Sequence, residues 1–147
     1  MSKYIKIVES LVDGINAGYK AAKDDLFEVV EEIASALRTI LPDSKITIEN
    51  LSDASEGTFF RISIDLLPKD ESVKIVRLGT YFVPSAGYPI STGRFLGPAN
   101  YDAVDFFGDR DSLDSYFQEF FNSPGSSLVQ TMGFALRRRE MDDEIPF

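Results

Sequence analysis

The chain is 147 residues long, a length that fits one domain with a buried core. It has no cysteine and no histidine, which rules out disulfides, thiolate nucleophiles, serine–histidine triads and most transition-metal sites. Acids outnumber bases 24 to 15, and the resulting net charge of −9 argues against a binder that holds nucleic acid by bulk charge alone.

Residues 3–41 carry apolar side chains every three or four positions, from Tyr4 and Val8 through Leu26 and Val29 to Leu37 and Ile40. Gly14, Gly18 and the "KDD" at 23–25 predict two helices rather than one. Asp25 followed by Glu28 has the shape of a capping box opening the second, which stops before Pro42. The period then changes from 3.6 to 2. "KITIE" (45–49) and "TFFRISIDLL" (58–67) alternate, and in the latter Phe60, Ile62, Ile64 and Leu66 face one way while Phe59, Arg61, Ser63 and Asp65 face the other. "LPKDES" (67–72) reads as a turn, and "VKIVRLGTYFV" (73–83) as a third strand with a bulge or break near Gly79. Three prolines and three glycines make residues 84–101 read as a long irregular loop. Asp109 or Asp111 is placed to cap a helix through "SLDSYFQEFF", "SPGSS" breaks it, and a last helix runs from about Ser127 to Arg139. The expected fold is α+β: an N-terminal helical pair, a three-stranded antiparallel meander, two C-terminal helices and a short acidic tail. Residues 1–140 form the expected domain and 141–147 the tail.

The chain closes on Asp142, Asp143, Glu144, Ile145, Pro146 and Phe147. This hexapeptide resembles the C-terminal tip of bacterial single-stranded-DNA-binding proteins, in which acids are followed by Ile or Leu and then by Pro-Phe. The resemblance implies a docking peptide for the replication, recombination and repair enzymes that recognise such tips. It covers the tail alone. Nearly forty helical residues open this body where that family has a five-stranded barrel, and the family's Gly/Gln/Pro-rich linker before the tip is missing.

The physics of the tip is legible on its own. Phe147 offers a ring and an α-carboxylate on one residue, matching a pocket with an apolar floor and a cation. Pro146 keeps the approach extended and Ile145 adds an apolar contact. Asp142, Asp143 and Glu144 steer the peptide toward a basic rim. A peptide of this kind binds at about micromolar Kd, or roughly −8 kcal/mol.

Within the body, residues 57–101 run against the overall charge. They hold Arg61, Lys69, Lys74, Arg77 and Arg94 against Asp65, Asp70 and Glu71, a local balance of +2. Arg61, Lys74, Arg77 and Arg94 are candidate phosphate contacts for single-stranded DNA. Tyr88 and Phe95, with Tyr81 and Tyr101, are candidate stacking platforms. Arg137, Arg138 and Arg139 are further candidates for phosphate, or complement the carbonyl end of the last helix.

A competing expectation is an adaptor or inhibitor of phage or mobile-element type, which binds no DNA and competes for the same enzymes through the tip. Asp102, Asp105, Asp109, Asp111 and Asp114 have carboxylates for magnesium or calcium, but their spacing matches no ion-binding loop. The sequence therefore predicts a cytoplasmic, non-enzymatic protein with no cofactor or metal. No apolar run approaches the ~18 residues of a membrane span, and no signal peptide opens the chain. Its expected partners are tip-binding enzymes, single-stranded DNA and a second copy of the chain.

Overall fold

The computed structural model describes the backbone of residues 2–144 and the side chains of residues 3–140. A single helix, α1 (Ser2–Arg38), opens the chain. It is followed by strands β1 (Lys45–Ala54), β2 (Gly57–Asp65), β3 (Val76–Pro84), β4 (Ile90–Phe95) and β5 (Tyr101–Phe107). Helices α2 (Arg110–Asn122) and α3 (Ser127–Glu144) complete it.

The expected helical pair is thus one rod of 37 residues, roughly 55 Å long at 1.5 Å per residue. Neither glycine breaks it, because each costs only about 1 kcal/mol in a helix interior and no proline intervenes. Gly18 has a packing reason: a Cβ there would meet the Ala86 carbonyl oxygen at 2.5 Å. Asp25 and Glu28 do not cap a second helix. With Glu32 they form an acidic face that grips Arg110, at the start of α2. The guanidinium reaches Glu32 at 2.8 Å and Asp25 at 3.9 Å, and also bonds Glu28. The i, i+3 pair of acids that imitates a cap is a ridge for a cation from 82 residues downstream.

The sheet has five strands, all antiparallel, in the order β1-β2-β3-β4-β5. This corrects the expected three-stranded meander. Residues 84–101, read as loop, contain β4 whole and the first residue of β5. The prolines of that stretch lie outside β4, where Ile90, Thr92 and Phe95 suit a strand and Gly93 does not. Gly93 answers to strand proximity: a Cβ there would lie 2.0 Å from the Asp102 carbonyl oxygen of β5. The sheet is open, with β1 and β5 at its edges.

All three helices cover one face. α1 contributes Leu26, Val29, Val30 and Leu37, α2 contributes Leu113 and Phe117, and α3 contributes Leu128 and Ala135. These pack on Phe60, Ile62, Ile64, Tyr81, Val83, Ile90 and Phe107 of the sheet. Phe27 meets Phe60 edge-on at 5.2 Å, and Tyr81 stacks on Phe117 at 5.3 Å. Burying about 20 such side chains supplies most of the folding drive.

Asp109 caps α2: its carboxylate accepts from the Ser112 backbone N–H at 2.9 Å, and the Ser112 hydroxyl returns to the Asp109 backbone N–H. The Ser112 backbone N–H first, and then the Ser112 hydroxyl donating to the same carboxylate at 2.7 Å, hold the Asp109 carboxyl below the ordinary carboxylate range. α3 runs on through Asp142, Asp143 and Glu144, so the first residues of the expected tail are helical in backbone. Among the described residues no helix is long and apolar enough to cross a membrane.

Candidate nucleic-acid interface

Among the described residues no helix covers the other face of the sheet. Strand alternation and cross-strand register fix what it displays. At one end, Lys45 lies opposite Asp65, Glu49 opposite Arg61, and Arg77 opposite Ser63. These side chains, with Thr47 and Ile75, line a shallow cleft of about 440 Å³. Arg61 stands 3.7 Å from Glu49, a loose surface pair of small energetic value. The Asp65 Oδ1 is buried without a hydrogen-bond partner among the described residues.

The other end of the face is aromatic. Phe59 is the hub, 4.7 Å from Phe82, 4.8 Å from Phe95 and 5.0 Å from Tyr101. Phe59 itself is buried, whereas Phe82, Phe95 and Tyr101 are half-buried and show ring surface to solvent. The Tyr101 hydroxyl bonds the Ser91 hydroxyl at 2.8 Å, fixing its ring across β4 and β5. Burial is the main cause that raises its phenol above the ordinary value. On β5, Phe106 pairs with Ser91 and is 65% exposed, which extends the apolar surface toward the sheet edge. Arg61 follows Phe59 by two residues on the same strand face, a spacing of about 7 Å. Arg61 thus adjoins the aromatic cluster, and Arg77 and Lys45, opposite Ser63 and Asp65, continue the same face away from it.

The predicted contact residues divide. Arg61 and Arg77 share the uncovered face, and Phe95 joins its aromatic cluster. Lys74 is exposed in the β2–β3 connection, short of β3. Arg94 sits between Gly93 and Phe95, so alternation turns it to the face opposite the Phe95 ring. Tyr88 is bound elsewhere: its hydroxyl donates to Asp25 on α1 at 2.7 Å. Burial first, and then that carboxylate, push its phenol well above the ordinary value.

Tyr81 is no platform. It is fully buried among α2 side chains and donates to the Leu78 carbonyl at 2.6 Å. The reason is the bulge at Gly79, where φ is +118° and the register slips opposite Ile62 and Ser63. One extra residue inverts the alternation beyond it, so Tyr81 turns inward and Phe82 outward.

The arginines of α3 sit apart from this face. Arg138 bonds Asp70 at 2.9 Å, and Arg139 donates to the Ile40 carbonyl. They border a cleft with Leu41, Pro42, Leu67 and Pro68, while Arg137 is exposed. Ser72 first, then Arg138, hold the Asp70 carboxyl below its ordinary value.

The expected docking residues Ile145, Pro146 and Phe147, and the side chains of Asp142, Asp143 and Glu144, lie outside the described residues. The aspartates once weighed as ion ligands have separate duties. Asp102 and Asp105 belong to β5, Asp109 caps α2, and Asp114 lies 4.0 Å from Arg110. Among the described residues no group of three or more His, Cys, Asp or Glu side chains is placed to hold a metal ion.

Phe59, Phe82 and Lys45 complete the face and were not among the predicted contacts. The alternation of β2 already put Phe59 beside Arg61; Phe82 was hidden by the bulge. No family model, no curated protein and no solved structure matches the chain.

Proposed function

We propose that the chain is a non-enzymatic, cytoplasmic accessory protein of DNA replication, recombination or repair. It lays single-stranded DNA across the uncovered sheet face and offers its C-terminal hexapeptide to enzymes that recognise such tips. The observation that carries the DNA half is the juxtaposition of half-exposed Phe82, Phe95 and Tyr101 with Arg61, Arg77 and Lys45 on one helix-free face. Rings stack with bases of any sequence, and the cations follow the phosphates. The recruitment half rests on the terminal Asp-Asp-Glu-Ile-Pro-Phe alone.

The adaptor that binds no DNA is the second reading. Glu49 and Asp65 on the same face, within a chain of net charge −9, favour it.

Fluorescence anisotropy with a labelled oligothymidine at about 50 mM salt, where phosphate contacts are strongest, separates the two. Binding that weakens in Phe95→Ala and Arg77→Ala supports the sheet face as a DNA platform. No binding at that salt leaves the adaptor. For the tip, deletion of Phe147 removes ring and carboxylate together and is expected to abolish capture of a tip-binding enzyme. Undiminished capture refutes the docking model.

A further inference from the structure

The N-terminal half of α1 leaves the domain. Up to Gly18, where the helix meets the 84–89 segment, its residues stand away from the sheet, and the core begins at Ala22. Yet the apolar stripe that seals the second half onto the sheet does not stop there. It runs on outward through Ile15, Leu11, Val8 and Tyr4, spaced four, three and four apart. In heptad terms with Val8 at position a, every charged residue from Lys3 to Lys23 falls at b, c or f, and none at a, d, e or g. This is the pattern of a helix buried along one broad side, on a segment with nothing against it among the described residues. Tyr4, Ile5, Ile7, Val8, Leu11 and Val12 are each between 47% and 66% exposed.

We propose that this arm is an interface for a second copy of the chain, packed antiparallel about a two-fold axis between Val8 and Leu11. Read in that direction the sequence is complementary to itself. Tyr4 faces Ile15 of the second copy, and Val8 faces its Leu11, so an a residue meets a d residue in each of four layers. On one flank Ile5 lies against Val12. On the other Ile7 lies against Gly14, whose missing side chain has open space around it. A glycine in the middle of an exposed helix otherwise only weakens it.

The six exposed residues present about 600 Å² of largely apolar surface, close to the roughly 800 Å² per partner of a standard stable interface. A membrane surface fits less well. The outer side of the arm balances Lys3 and Lys6 against Glu9 and Asp13, without the basic excess or the tryptophan and phenylalanine of interfacial helices.

Sedimentation equilibrium of the full chain over a concentration series tests this. The expected result is a dimer whose dissociation constant rises at least about tenfold in Leu11→Asp and in Val8→Asp. Unchanged near-ultraviolet dichroism of the tyrosines would show the domain intact. Orientation is read by disulfide cross-linking, since the chain has no cysteine of its own. A mixture of Val8→Cys and Leu11→Cys chains should cross-link under mild oxidation, and either variant alone should not. A monomer at all concentrations overturns the proposal, as does a dimer indifferent to both aspartates. Cross-linking of Val8→Cys with itself overturns the antiparallel arrangement. A monomer that co-sediments with 3:1 phosphatidylcholine–phosphatidylglycerol vesicles overturns it in favour of a lipid surface.

Discussion

The two faces of the sheet use the same kinds of residue to different ends. On the covered face, aromatic rings are locked between layers: Tyr81 sits between Phe117 and Tyr116, its hydroxyl satisfied by a carbonyl. On the uncovered face, Phe59 is buried but its neighbours Phe82, Phe95 and Tyr101 are only half-buried, with Arg61 two residues along the strand from Phe59. For Tyr81 against Phe82, Phe95 and Tyr101, what separates a fully buried ring from a half-buried one is the helix packed above it. The identity of the residue does not decide.

Mutating each face sharpens that contrast. The largest effect belongs to the covered side: Phe117→Ala should lower unfolding free energy by about 3–5 kcal/mol, measured by urea denaturation, because the cavity left between α2 and β3 cannot collapse. On the uncovered side Phe95→Ala should cost far less stability, yet reduce oligothymidine affinity by about 1–3 kcal/mol per lost stacking contact. A large stability loss without a binding loss would make Phe95 a core residue.

Next in size is Asp109→Ala, which removes the cap of α2 and should lower the thermal midpoint at neutral pH. The carboxyl is held below its ordinary value in the folded state, so its stabilisation is present above the unfolded-state pKa near 4 and is lost as pH falls through the folded value. The gap between Asp109→Ala and the parent should therefore close in acid, as followed by thermal unfolding from pH 7 to pH 2. The smallest effect is Arg77→Ala. If it meets one phosphate, the slope of log K against log salt should drop by about one, while Arg94→Ala, on the other face, should leave the slope unchanged.

Legibility of this fold in the sequence followed local consistency. In β2 the strict alternation of "FFRISID" put Phe60, Ile62 and Ile64 on one face and Phe59 and Arg61 on the other, and the structure packs the first set under the helices. β4 was missed because its six residues sit among prolines and glycines whose turn signal outweighs a short strand, and pairing with β3 and β5 supplies what propensity lacks. α1 was divided because glycine marks either a break or a close approach, and Gly18 is the second kind. Tyr81 and Phe82 were exchanged between faces by one inserted residue, whose presence the sequence signalled at Gly79 but whose phase it did not. Tyr88 became a helix anchor because its partner, Asp25, lies 63 positions away. No local pattern encodes that distance.

The contact of Gly18 with the Ala86 carbonyl acts as a fulcrum. One side of it carries the projecting half of α1; the other carries the segment that leads through Tyr88 into β4 and the aromatic rings. A single added methyl at that point must tilt the rod or lift the segment, since backbone occupies the space it would need. The aim of the arm and the seating of the fourth strand are therefore set together, where the helix backbone meets the backbone of that segment with no side chain between them.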